Sequence, residues 1–239
     1  METIFDAVRI LYRDDRCVVI NKKCGEAMEG AGEGVVDLPL VLRSTIGRSP
    51  ASATEDFYPT AVHRLDVPVT GCALFARTPE ALSFLSDLFA DERAHKIYWA
   101  ILEKNKAAEA LAPSGELVHW ISVDAKHNKS YAHPDSAPDR KKAILRYRVV
   151  GQGDRYVFME IELITGRHHQ IRAQLAALDL HIKGDLKYGS KRSEKDGGFR
   201  LHARLLAFPN PDGSSAFINV QAPIPVPDPL WTAFEGAAK

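Results

Sequence analysis

The sequence predicts an α+β fold, a strand-rich chain whose few helices are segregated from its strands. Three observations predict it. Val157, Met159, Ile161 and Leu163 alternate with Phe158, Glu160 and Glu162, the period of a strand with one buried face. Val8-Arg9-Ile10-Leu11-Tyr12 and Cys17-Val18-Val19-Ile20 flank the turn-like Arg13-Asp14-Asp15-Arg16 and read as a hairpin. Thr78-Pro79 opens a helix, with Thr as N-cap and Pro at the first position, and Leu82, Leu85, Leu88 and Phe89 give that helix one apolar face.

The remaining elements follow in order. A helix is expected over residues 36–46, then a loop over 48–59, where Ser, Ala and Thr surround Pro50 and Pro59. Residues 71–77 read as a buried strand and 96–102 as another. Residues 103–140 mix Lys, Ala, Pro and Ser around one short strand, 117–123, and read as an irregular insertion. The strand ending at Leu163 stops at Thr165-Gly166. Ile171, Leu175 and Leu178 then recur at helical spacing, so the chain turns directly into a helix whose N-terminal amides suit an anion such as phosphate. A strand near 217–220 and a short helix around 230–234 complete the chain, and no internal repeat is seen.

Composition narrows the function classes. With 239 residues, 45% hydrophobic and 26% charged, the chain matches ordinary globular proteins rather than disordered or fibrous ones. Its 31 Lys and Arg balance 31 Asp and Glu, so nucleic-acid binding would have to rest on a local patch. Cys17, Cys24 and Cys72 form no CxxC pair and suit reduced, buried thiols. The opening Met1-Glu2-Thr3-Ile4-Phe5-Asp6 carries acids where a signal peptide needs a positive flank, and no run approaches the ~18 apolar residues of a membrane helix. A soluble, cytoplasmic protein is expected.

Three segments concentrate chemistry-bearing side chains. If Ala61-Val62-His63-Arg64-Leu65-Asp66 is extended, Arg64 and Asp66 share one face. They form either a plain ion pair or a carboxylate kept ionised by cations and available as a nucleophile. Asp66-Val67-Pro68-Val69-Thr70 superficially resembles the DxDxT loop of aspartyl-phosphate phosphatases, but Pro68 stands where the second acid should be. In Thr165-Gly166-Arg167-His168-His169-Gln170-Ile171-Arg172, adjacent histidines on a helix cannot face the same way, and no HExxH or third ligand accompanies them. Zinc is therefore set aside, leaving a solvated helix face or a surface for a polyanion or carboxylate. In Lys96-Ile97-Tyr98-Trp99-Ala100, Tyr98 is either a core ring or one that stacks on a nucleobase. Clustered positive charge lies in Arg140-Lys141-Lys142 and in Lys183, Lys187, Lys191, Arg192, Lys195, Arg200 and Arg204, which form solvated loops or a groove that tracks phosphates.

Taken together, these segments resemble the pseudouridine synthases of the RluA family, from about residue 9 to 221. Ile10-Leu11-Tyr12-Arg13-Asp14-Asp15 with Val18-Val19-Ile20-Asn21-Lys22 resembles the opening hairpin, and His63-Arg64-Leu65-Asp66 the HRLD signature. Lys96 to Ala100 resembles the KxYxA strand and Thr165 to Arg172 the TGRxHQIR segment. Gly184-Asp185 with Tyr188-Gly189 resembles GDxxYG, and Leu201-His202-Ala203 the LHA element. Departures occur at Lys23-Cys24-Gly25 in place of Pro-Ala-Gly, at Pro68-Val69-Thr70-Gly71 in place of DTSG, and at His168 in place of threonine.

The resemblance implies one catalytic domain over residues 1–239, built on a mixed, mostly antiparallel central sheet flanked by helices and loops, without an N-terminal S4 module. It implies isomerisation of specific uridines in structured RNA, ribosomal or transfer RNA, to pseudouridine, with no redox or metal cofactor. Asp66 would be the nucleophile, Arg172 would pair with it, and Tyr98 would stack on the uracil. Arg64 would prop the gap left by the extruded base, and Arg167, His169 and Gln170 would contact RNA. The implied partner is an RNA stem-loop, with no membrane and no obligatory protein partner. The alternative is a catalytically silent RNA-binding protein of the same fold, against which the joint presence of Asp66, Tyr98 and Arg172 argues.

Overall fold

The computed structural model describes residues 6–52, 57–225 and 228–238, so the acidic opening at Met1–Phe5 and part of the loop expected over 48–59 lie outside it. The chain orders β1 (Ile10–Arg13), β2 (Cys17–Lys22), β3 (Glu26–Ala27), β4 (Val36–Asp37), α1 (Leu38–Ile46), β5 (Thr60–Ala61), β6 (Thr70–Ala76), α2 (Pro79–Ala90) and β7 (His95–Glu103). There follow α3 (Lys106–Glu109), β8 (Ser114–Asp124), β9 (Lys129–His133), β10 (Lys141–Gln152), β11 (Tyr156–Leu163), α4 (Gln170–Ala176), β12 (Leu201–Pro209), β13 (Phe217–Gln221) and α5 (Pro229–Ala237). Two compact units result. The first comprises the described residues up to His95 with Ala203–Pro225, and the second comprises Lys96–His202 with the described residues from Asp228.

In the first unit the strand order is β1-β2-β6-β12, with β5 also on β6 and β13 on β12. The β1–β2, β2–β6, β5–β6 and β12–β13 pairs are antiparallel, whereas the short β3–β4 pair is parallel. Period-two placement sends Cys17, Val19, Cys72, Leu74, Ala76, Leu206, Phe208, Ile218 and Val220 into one core, where Leu85 and Leu88 of α2 meet them. Each large side chain so buried contributes about 1.5–3 kcal/mol. The helix starts where its sequence asks: Thr78 Oγ1 accepts from the Ala81 amide at 3.1 Å, with Pro79 at the first position. Likewise Asp37 caps α1 through the Leu40 amide at 3.2 Å. Gly71, at the head of β6, has φ +109°, and a Cβ there would lie 2.2 Å from the Ala203 carbonyl oxygen, so only glycine fits.

The second unit holds an antiparallel sheet ordered β7-β11-β10-β8-β9. Here the expectation of an irregular insertion over 103–140 is corrected. That segment supplies β8 and β9, and β8 pairs along β10 from Lys141↔Ile121 to Arg148↔Ser114. The strand β10 was itself unexpected. So was β12, which covers ground expected as a basic loop up to Arg204. The helix α4 packs against β8 and β9. Phe234 of α5 stacks on Trp99 of β7 at 4.5 Å and on Phe158 of β11 at 5.2 Å. Cys17 and Cys72 are buried and Cys24 is half-buried. Among the described residues no helix is long and apolar enough to cross a membrane.

Candidate active site

Asp66 lies half-buried between β5 and β6. It is the first residue of a tight turn closed by the Val69 amide, which donates to the Asp66 carbonyl at 2.9 Å. That turn is tied from below by a residue that the sequence motifs do not single out. Lys22, the last residue of β2, is 1% exposed, and its ammonium donates to the carbonyls of Val69 (2.6 Å), Val67 (2.8 Å), Lys23 (3.1 Å) and Asp66 (3.2 Å). Burial pushes its pKa down to about 8, while the charges of Glu26, Cys24 and Asp66 push back and Arg9 adds to the depression. Around it, Arg9 and Glu26 form a buried bidentate pair at 2.8 and 2.5 Å, and Glu26 also accepts from the Lys23 amide at 2.7 Å. A sequence signal existed: a cation ending an apolar strand must find acceptors where water cannot reach.

The stretch before Asp66 is not a strand beyond Ala61. It bends at Val62 and His63, so the same-face argument for Arg64 and Asp66 does not apply. Arg64 is exposed, and its Nε lies 3.8 Å from Glu29 Oε1, a loose surface pair. His63 turns inward instead. Its Nε2 accepts from the Leu74 amide at 3.1 Å, and its ring stacks on Phe89 at 4.9 Å.

The other candidates belong to the second unit. Tyr98 is a buried ring of β7, opposite Ile161 of β11. Nearby on the same strand, Lys96 reaches the Ile164 carbonyl at 3.4 Å and so ties β7 to the turn after β11. That turn is braced by Gln170. Its Oε1 accepts from Thr165 Oγ1 (2.7 Å) and from the Arg167 amide (2.9 Å), while its Nε2 donates to the Ile144 carbonyl (3.0 Å). Gln170 is 2% exposed, and its side-chain amide is engaged within the protein. Arg167 is half-buried and donates from Nε to the Lys142 carbonyl at 2.9 Å.

His168 and His169 also depart from expectation. They precede α4 rather than lying on it, and His169 has the left-handed φ of +51°. Their rings therefore stack, with centroids 3.8 Å apart. His168 is held between Ser130 Oγ (2.8 Å) and Asn128 Oδ1 (3.1 Å), and His169 Nδ1 lies 3.0 Å from the Tyr188 hydroxyl. Among the described residues no group of three potential metal ligands is found.

Arg172 is buried on α4 and gripped by Asp185, with Nε to Oδ2 at 2.6 Å and Nη2 to Oδ1 at 2.9 Å. Its guanidinium carbon lies 4.6 Å from the Tyr188 ring centroid and 4.5 Å from that of Phe199. Asp185 and Tyr188 belong to a motif that assigns them no role, and a pairing across 13 residues and a turn leaves no local signal. The basic segment from Lys183 to Arg204 is partly spent internally. Glu194 takes both Lys183 and Arg200, Arg200 also meets Asp228, and Lys187 donates to the Asn128 carbonyl at 2.9 Å. Lys191, Arg192 and Lys195 remain exposed at the surface.

Comparison with known proteins adds a common pattern. Residues 16–177 match the sequence profile described as RNA pseudouridylate synthase. An uncharacterized RNA pseudouridine synthase of Zymomonas mobilis is 30% identical over 92% of this chain and 94% of its own. The tRNA pseudouridine synthase C of Haemophilus ducreyi is 28% identical over 84% of this chain and 85% of its own. In structure, human RNA pseudouridylate synthase domain containing 4 superposes with a TM-score of 0.70 at 22% identity, covering 96% of this chain and 92% of that one, a likeness of fold.

Proposed function

The chain belongs to the RNA pseudouridylate synthase family, and from that membership we propose that it converts uridines of a ribosomal or transfer RNA stem-loop to pseudouridine with Asp66 as the nucleophile. A single catalytic domain over residues 1–239 is part of the same proposal.

The observation that carries this reading is the presentation of Asp66. Asp66 is half-buried, on a turn whose carbonyls are immobilised by a buried ammonium, which fixes the backbone that carries the carboxylate. The uridine leaves its stack to reach it, at least cost where pairing is already weak. The bond from uracil N1 to ribose C1′ breaks with its electron pair leaving on the base, and Asp66 stabilises or captures the sugar cation. The base turns, C5 bonds to C1′, the C5 proton departs, and N1 gains a proton, so no atom or electron is gained overall. Tyr98 stacks on the uracil, Arg172 supplies positive charge for the reaction, and Arg64 props the vacated stack. Arg167 and His169 face the RNA.

Tritium release from RNA labelled at uracil C5 tests this. The wild-type chain should release tritium, and Asp66→Ala should release none above background. Equal release by both removes Asp66 from the reaction. RNA binding without release by the wild type supports a silent RNA-binding protein instead.

A further inference from the structure

Successive residues of a strand point to opposite faces of its sheet, so strand register sorts the side chains of the second unit. One face carries Tyr98, Ile161, Tyr147, Leu145 and His119, and Gln174 of α4 lies 3.2 Å from His119 on that side. The other face carries Trp99 and Phe158, where Phe234 of α5 covers them. Towards β9 this second face opens. Lys142, Trp120 and His133 form one row across β10, β8 and β9, and Tyr131, opposite Ser122, stands in the next row, diagonal to Trp120. Trp120 is half-buried and Tyr131 is 44% exposed.

The acids of this face are already matched. Glu116 meets Arg146 at 3.0 Å, Glu160 meets Arg148 at 2.9 Å, Glu162 lies 3.6 Å from Arg146, and Asp124 holds His127 at 2.6 Å. Among the described residues, Lys129 and Lys142 enter no such pair. Lys129 also joins the two faces at the free edge of β9. Its ammonium lies 5.4 Å from the Tyr131 ring centroid and 5.1 Å from that of Tyr188, whose hydroxyl accepts from the Ser130 amide and whose ring lies 4.6 Å from the Arg172 guanidinium.

We propose that the open face of β8 and β9 docks a single-stranded RNA segment flanking the target uridine, its bases stacked on Tyr131 and Trp120 and its phosphates against Lys129 and Lys142. This rests on the reading of the chain as an enzyme that acts on RNA. Flat rings set between two unmatched ammoniums, with every nearby acid neutralised, select a polyanion that carries rings of its own.

The probe is fluorescein-labelled oligoadenylate of about 12 nucleotides, which holds no uridine and so reads docking apart from catalysis. Tyr131→Ala, at an exposed position and checked for folding by circular dichroism, should weaken binding about fivefold or more, and Tyr131→Phe should keep it. Unlabelled oligoadenylate should quench tryptophan fluorescence, and Trp120→Phe should abolish that quenching, because Trp99 and Trp231 are buried. Lys142→Gln should flatten the slope of log affinity against log salt by about 0.7. Phe217→Ala, which removes a comparably exposed ring of the first unit, should leave affinity unchanged.

Wild-type affinity in Tyr131→Ala, or an equal loss in Phe217→Ala, overturns the proposal. So does a dimer, seen by sedimentation, that Tyr131→Ala converts to monomer, since the face would then join two copies. If Tyr131→Ala does not fold, an unquenched wild type or an unmoved salt slope in Lys142→Gln overturns it equally. Tritium release without oligoadenylate binding removes only the docking surface, whereas binding with no release from RNA labelled at uracil C5 overturns the reading of the site.

Discussion

Replacing Lys22 with Met isolates the energetics beneath the Asp66 turn. The Asp66 and Val67 carbonyls each keep a second donor, the amides of Val69 and Gly25, so the substitution falls hardest on the Val69 and Lys23 carbonyls. At about 1–3 kcal/mol for each buried group left unpaired, these two cost about 2–6 kcal/mol. Met also escapes a penalty. Holding the ammonium with its pKa lowered from 10.5 to about 8 corresponds to about 3 kcal/mol at ~1.4 kcal/mol per pH unit. The balance is a destabilisation of up to about 3 kcal/mol at pH 7. The pH dependence is sharper. Between pH 8 and 10.5 the unfolded chain holds the Lys22 proton and the folded chain does not. Wild-type stability therefore gains from this residue as pH rises through that window, and the Met variant has no such gain. The gap between the two should widen by about 1 kcal/mol from pH 7 to pH 9, read from urea unfolding at both pH values. A gap that stays constant or narrows would refute the assignment of a buried, charge-strained lysine under Asp66.

Gly71→Ala should destabilise by several kcal/mol, enough to lower the melting temperature by more than about 10 °C, because its Cβ would meet the Ala203 carbonyl oxygen at 2.2 Å and φ is +109°; a melt within a few degrees of wild type contradicts that packing. Arg64→Gln should leave stability within about 0.5 kcal/mol, since the Glu29 pair is loose and exposed, yet lower kcat/KM on RNA about tenfold if Arg64 props the vacated stack. Unchanged turnover returns it to an ordinary surface residue. Neutralising Lys191, Arg192 and Lys195 together should flatten the slope of log affinity against log salt by about 0.7 for each phosphate these cations neutralise in the wild type. Lys183→Gln, whose ammonium Glu194 already holds, should leave that slope in place.

How far the fold could be read from the sequence depended on whether one face of each element met solvent. The α2 start at Thr78-Pro79 and the strand β11 were readable because a cap and a period of two are local signals. The strand β10 carried the same alternation, with Ala143, Leu145 and Tyr147 buried and Lys142, Arg146 and Arg148 exposed, but its opening Arg140-Lys141-Lys142 reads equally as a charge run. Those exposed arginines are cross-strand partners: Arg146 reaches Glu116 of β8 at 3.0 Å and Arg148 reaches Glu160 of β11 at 2.9 Å. Such pairing is decided by register between strands and leaves no trace in a single segment. The strand β12 fails the alternation test for another reason: Leu201, His202 and Ala203 are all buried, and Leu206, Ala207 and Phe208 likewise, so its pattern is that of a strand covered on both faces.

The site divides along the same line. Motif order singles out Asp66, Tyr98 and Arg172 as candidates because each sits in a short run of recognisable residue types. What holds two of them does not. Lys22 lies 44 residues from the carbonyl of Asp66, and Asp185 lies 13 residues and a turn from Arg172. Both supporting groups are charged and buried, and both engage partners through more than one bond. A buried charge is tolerated only where several acceptors or donors converge on it. An ionisable residue inside an apolar or glycine-flanked run, as Lys22 follows Val18-Val19-Ile20-Asn21 and Asp185 follows Gly184, therefore predicts convergence even where the partner cannot be named. His168 and His169 teach the converse. Helical spacing placed them apart, but a left-handed φ at His169 holds off the helix until Gln170 and stacks the two rings, so an argument from periodicity holds only as far as the helix itself extends.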